Sequence, residues 1–103
     1  MTLTDVNQKL EELAIIYPEK IRDLRVVENA YTMRYYDLIL HSGLGTIAAK
    51  EAEAITICTE EGLAEPMQIL KADVRALFHE KECYMEIGRN LRTLNGGHRE
   101  NTE

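Results

Sequence analysis

His79 and Cys83 stand four residues apart, a spacing that puts both on one face of a helix, where they could hold one side of a metal ion. A zinc centre needs two further ligands, and His41, Cys58 and His98 form no second local pair. A packed thiol beside a polar histidine accounts for the pair without metal. Glu82 and Glu86 repeat the spacing with carboxylates, as helical di-metal proteins do on inward-facing helix sides. No histidine follows a glutamate by three residues, however, and no second helix offers a matching glutamate pair. A solvated face, with Arg89 within reach of Glu86, explains these acids at least as well. His41-Ser42 has no acid placed to orient the histidine, and the chain has no GxSxG, HExxH, CxxC or phosphate-cradling glycine loop. The sequence therefore assigns no catalytic residue, no metal and no cofactor, and the expectation is a non-enzymatic protein.

Two basic groups remain. Arg34 lies among Tyr31, Tyr35 and Tyr36, and aromatics interleaved with arginine can stack on and neutralise single-stranded nucleic acid. Tyr31 and Tyr35 fall on the apolar seam of their helix, which leaves Arg34 and Tyr36 as the candidate contact spot. Arg89, Arg92 and Arg99 give the end of the chain a basic run that could grip phosphate or an acidic partner. Cations also favour a helix C-terminus for purely structural reasons. The net charge of −6 argues against general, charge-driven binding to duplex DNA. It is unevenly spread: residues 1–45 carry −2, residues 46–66 carry −4, and residues 67–103 balance.

The elements that must position these groups are helices. Thr4 reads as a first N-cap, and Val6, Leu10, Leu13 and Tyr17 recur at helical spacing after it. Pro18 interrupts, yet Ile21, Leu24, Val27, Tyr31, Tyr35 and Leu38 continue almost in phase, which favours a kink or tight break over a reversal. His41-Ser42-Gly43-Leu44-Gly45 is a turn, and Thr46 caps the next helix, with Ile47, Ala48, Ala52 and Ile55 on one face. Gly62 ends that helix. Pro66 then sits in the first turn of a long one, and Met67, Leu70, Val74, Leu77, Lys81, Tyr84, Gly88 and Leu91 mark its seam. Met67, Leu70, Val74, Leu77 and Phe78 are the expected core positions. Alternation of period two is absent, so the fold class is all-α: an antiparallel bundle of three to four helices with a long C-terminal helix. Residues 1–95 read as a single helical domain and 96–103 as a disordered tail.

The 103 residues suffice for one core, and 45% hydrophobic with 29% charged residues is a globular rather than a disordered balance. Cys58 and Cys83 lie inside helical patterns with no disulfide framework, which fits a reducing, cytoplasmic location. No run approaches the ~18 apolar residues of a membrane span, and the N-terminus lacks the pattern of a signal peptide.

Helix lengths carry one more expectation. The third segment, about 16 residues long if it turns back on the fourth, would cover it only to about Lys81 or Glu82. The apolar pattern runs on through Tyr84, Met85, Ile87, Leu91 and Leu94, and Gly88 would allow close approach of another helix. These six positions are read as an oligomer interface, most simply of a twofold homodimer. The alternative is that the first helix folds back over this end.

The turn HSGLGTIAAKEAEA and the charged helix KADVRALFHEKECYMEIGRNLRTL resemble the short, acidic, all-helical accessory proteins of tailed phages and prophages. The resemblance implies a small binding protein of the host cytoplasm, acting as adaptor, accessory or inhibitor on a host or phage protein. A nucleic-acid binder using Arg34, Tyr36, Arg89 and Arg92 is the second reading, and a helical metal-dependent hydrolase using Glu82 and Glu86 the third.

Overall fold

The computed structural model describes the backbone of residues 1–102 and the side chains of residues 1–94. The chain is all-helical: α1 spans Leu3–Leu40, α2 Ile47–Glu60 and α3 Ala64–Thr102, with no strand among the described residues. The helix expected to break or kink at Pro18 is a single 38-residue element with Pro18 inside it. Proline has no N–H to give the carbonyl four residues back, here that of Ala14. The helix persists because the seam on either side of Pro18 shares one phase: Val6, Leu13, Tyr17, Leu24, Tyr31 and Leu38 are all buried or half-buried. The ring itself is exposed, so no packed neighbour resists it.

The caps explain the boundaries. Thr2, not Thr4, opens α1. Its Oγ1 accepts from the Asp5 N–H at 3.2 Å, and Asp5 Oδ2 accepts from the Thr2 N–H at 2.9 Å, a reciprocal capping box. Those hydrogen bonds hold the Asp5 carboxyl below the usual aspartate range. Thr46 caps α2 as expected, accepting from the Ala49 N–H at 3.1 Å. At the other end Gly62 takes φ +76°, the left-handed conformation that glycine adopts without steric penalty. Leu63 N–H then reaches Cys58 O and Gly62 N–H reaches Thr59 O, which satisfies two carbonyls left over at the helix end.

The residues fall into two compact units. The first joins Met1–Glu19 to Val74–Glu103 and is a pair of helical segments. A Cβ built on Gly88 would lie 3.4 Å from Val6 Cγ1, and Lys81 Nζ stands 5.9 Å from the centroid of the Tyr17 ring. Advancing along α1 therefore means retreating along α3, so the pair is antiparallel. Val6 and Leu13 are its buried side chains among the described residues. The second unit, Lys20–Asp73, holds the rest of α1, all of α2 and the start of α3. Its buried residues are Ala54, Cys58 and Ala64.

Every position of the seam predicted for α3, from Met67 to Leu91, is half-buried or buried. Phe78 is a correction: it lies one place off that seam and is 43% exposed. The face assigned to α2 is a second correction. Ile47 and Ile55 are 71% and 49% exposed, and Ala54 and Cys58 point inward instead. Small side chains let helices approach closely, and the face that approaches closest is the one that loses its water. The expected 96–103 tail concerns residues whose side chains lie outside those described; the backbone there is helical to Thr102.

Gly88 supports close approach as expected, but of α1 in its own chain. At 3.4 Å an added Cβ meets Val6 at ordinary contact distance, and a helix gains about 1 kcal/mol when alanine replaces glycine. Gly88→Ala is therefore expected to raise the urea midpoint, by up to about 1 kcal/mol of stability. Gly88→Leu is expected to lower it, because its branches must displace Val6. A destabilised alanine variant would show that the two helices cannot take even a methyl group here.

Candidate interaction surfaces

The six residues assigned to an interface divide by direction. Tyr84, Gly88 and Leu91 are half-buried or buried within the chain, while Met85 and Ile87 are each 37% exposed and Leu94 70%. The premise that nothing in the chain covers this end is overturned. An α1 that continues through Pro18 reaches Gly88 with Val6. Met85, Ile87 and Leu94 are what remains outward.

Met85 opens on a groove in the first unit. Leu10, Leu13, Ala14, Tyr17 and Pro18 of α1 face Lys81 and Met85 of α3 across a cavity of about 420 Å³. Leu10 and Met85 also line a second recess of about 190 Å³, which is closed by Gly88, Arg89 and Arg92. A two-helix pair leaves such a trough because two cylinders in contact cannot cover the crevice beside their own seam. The trough is apolar along most of its length, with Lys81 at one end and Arg89 and Arg92 at the other.

Arg89 bridges to Glu86 at 3.4 Å on the helix surface, an exposed i,i+3 pair of little energetic weight. Arg34, the other candidate contact, is already paired within the second unit. Its Nη2 donates to Glu61 Oε1 at 2.7 Å and its Nε to Glu61 Oε2 at 2.9 Å, and Nη1 donates to Asp37 at 3.3 Å. The fork ties α1 to the residue that caps the C-terminal end of α2, where an acid is otherwise poorly placed against the helix dipole. The hydrogen bonds from Arg34 hold the Glu61 carboxyl below the usual glutamate range. A carboxylate whose pKa is lower in the folded than in the unfolded chain contributes stability at neutral pH. That contribution is lost as pH falls through the folded value. Arg34→Gln is therefore expected to lower the melting temperature at pH 7 and to flatten its decline below the usual glutamate range. An acid limb that keeps its wild-type slope would remove Glu61 as its source.

Tyr36 sits edge-on to Tyr35 at 5.3 Å between centroids and is 63% exposed. It belongs to a stripe that sequence reading missed: Val26, Met33 and Leu40 recur every seven residues along α1 and are 68%, 74% and 79% exposed. The signal was present as a second apolar period in the same helix, overshadowed by the stronger seam. Cys83 is exposed and Cys58 buried, and neither is in a disulfide. Burial pushes the Cys58 thiol up from its ordinary value. His79 stands edge-on to Phe78 at 6.0 Å. His41 is a correction: read from the sequence as lacking an acid, it has Asp37 Oδ1 3.2 Å from its Nδ1. Among the described residues no three His, Cys, Asp or Glu side chains gather where they could hold a metal, and no helix is long and apolar enough to cross a membrane. No family model matches the chain, and neither the curated proteins nor the solved structures contain a match.

Proposed function

We propose that the chain is a non-enzymatic helical interaction protein of the cytoplasm, an adaptor, accessory or inhibitor that works by protein–protein contact. In this reading its helices act as an antiparallel bundle that displays apolar side chains. The observation that carries it is the stripe of Val26, Met33, Tyr36 and Leu40, four large apolar residues each more than three-fifths exposed along α1. Single exposed apolar side chains are ordinary, but four along one helix over about 21 Å form the kind of surface that a partner helix covers. The free thiols fit the reducing compartment. The test compares proteins retained from a native extract by the wild-type chain and by Met33→Lys/Leu40→Lys. A specific binder lost with the variant is the expected outcome, and an unchanged set of retained proteins sinks the reading.

Nucleic acid is the alternative, favoured by Arg89 and Arg92 at the mouth of one recess. Arg34 weighs against it, because Glu61 and Asp37 already occupy its guanidinium. Labelled oligonucleotides titrated across a salt series decide between them, since phosphate binding weakens steeply as salt rises.

A further inference from the structure

The trough of the first unit asks for an occupant with three properties: an apolar ridge for the cavity between Leu10, Tyr17 and Met85, acid for the end at Arg89 and Arg92, and a length to match. From Lys81 to Arg92 the trough follows α3 for about 17 Å. The chain itself contains such a helix. The outward face of α2 carries Ile55 in the open, with exposed Ala48 and Ala52 beside it. Glu51 and Glu60 flank that ridge and are exposed, whereas Lys50, the single base of α2, is half-buried. The 14 residues of α2 extend about 21 Å. We propose that the trough of one copy receives α2 of a second copy.

Charge sets the direction. The C-terminal end of α2 bears Glu60 and the negative end of the helix dipole, so it lies at Arg89 and Arg92. Ala48, Ala52 and Ile55 then lie toward the apolar length of the trough, and Glu51 toward Lys81 at its other end. Glu86 offers Arg89 an existing partner at 3.4 Å, so Arg92 is the principal cation for the incoming acid. The contact is heterologous, with α2 on one side and the trough on the other. It uses none of Val26, Met33, Tyr36 and Leu40 and does not depend on the role proposed for them.

That asymmetry gives the test. Full-length Met85→Glu, altered in the trough, and Ile55→Glu, altered on α2, change partly exposed positions, and circular dichroism checks that both stay helical. Sedimentation velocity of the wild type is expected to show an assembly. Each variant alone is expected to associate roughly tenfold more weakly or worse. An equimolar mixture of the two is expected to recover association, because one intact trough then meets one intact α2. Arg92→Glu mixed with Glu60→Arg recovers it in the same way, by exchanging the charges. Met85→Glu that assembles like the wild type overturns the proposal. So does a mixture of folded Met85→Glu and Ile55→Glu that stays apart, the behaviour of trough meeting trough. A wild type that remains monomeric at about 1 mM overturns it as well, while the Met33/Leu40 comparison still decides the role of the α1 stripe on its own.

Discussion

Leu13→Ala is expected to cost about 2–5 kcal/mol of unfolding free energy, the range for removing a buried leucine from a core that relaxes only in part. Leu13 is 5% exposed and Val6 fully buried, and these two are the buried side chains of the first unit among the described residues. Small domains hold about 5–15 kcal/mol in total, so this one truncation removes a large share. Urea denaturation measures it. Hydrogen exchange places it: amides in residues 3–19 and 74–94 are expected to lose more protection than those of α2. A loss below about 1 kcal/mol would mean that the helical pair closes over the missing side chain, and that the seam is not what holds it.

Ala54→Leu is expected to act through the opposite fault, excess volume. Ala54 and Cys58 are fully buried, and they seat α2 in the second unit. Extra methylenes forced into a closed contact cost about 1–3 kcal/mol. Cys58 reports the event directly. In the wild type a thiol reagent is expected to find one fast site, exposed Cys83, and one slow site, because burial both hides Cys58 and raises its pKa. In Ala54→Leu both thiols react fast. Ile55→Ala, one residue away on the outward face, leaves Cys58 slow. If Ala54→Leu also leaves Cys58 slow, α2 is not seated by these small residues.

Periodicity made the helices legible. The phase shared across Pro18 is visible in the sequence, and so is the full seam of α3 from Met67 to Leu91. What periodicity does not show is which of two apolar faces is buried. On α2, Ile47 and Ile55 outrank Ala54 and Cys58 in hydrophobicity, yet the smaller pair is inside, since backbone approach rather than side-chain size decides the contact. Length arithmetic misled at the C-terminal half of α3 because it counted only the cover that α2 could give, whereas the start of α1, the stated alternative, lies against Gly88 through Val6. Among the proposed contact residues, the pairing of Arg34 with Glu61 was invisible in the sequence, because it spans 27 positions and leaves no local mark. The groove at Met85 was hidden for the same reason: it exists only once the two ends of the chain lie side by side.

The pairing of the chain's two ends bears on how the protein is made. Lys20–Asp73 is one unbroken stretch, so all the partners within this unit are present once Asp73 has been synthesised. Val6 must wait for Gly88, 82 positions later, so the start of α1 is partnered well after it is synthesised. Translation at about 5–20 residues per second leaves that seam in water for several seconds. During that time it is open to chaperones, proteases and the nascent chains of neighbouring ribosomes. A chain truncated before Gly88 keeps Lys20–Asp73 intact but has lost the α3 contact for Val6. Synthesis past Gly88 is therefore the step that lets the start of α1 be covered.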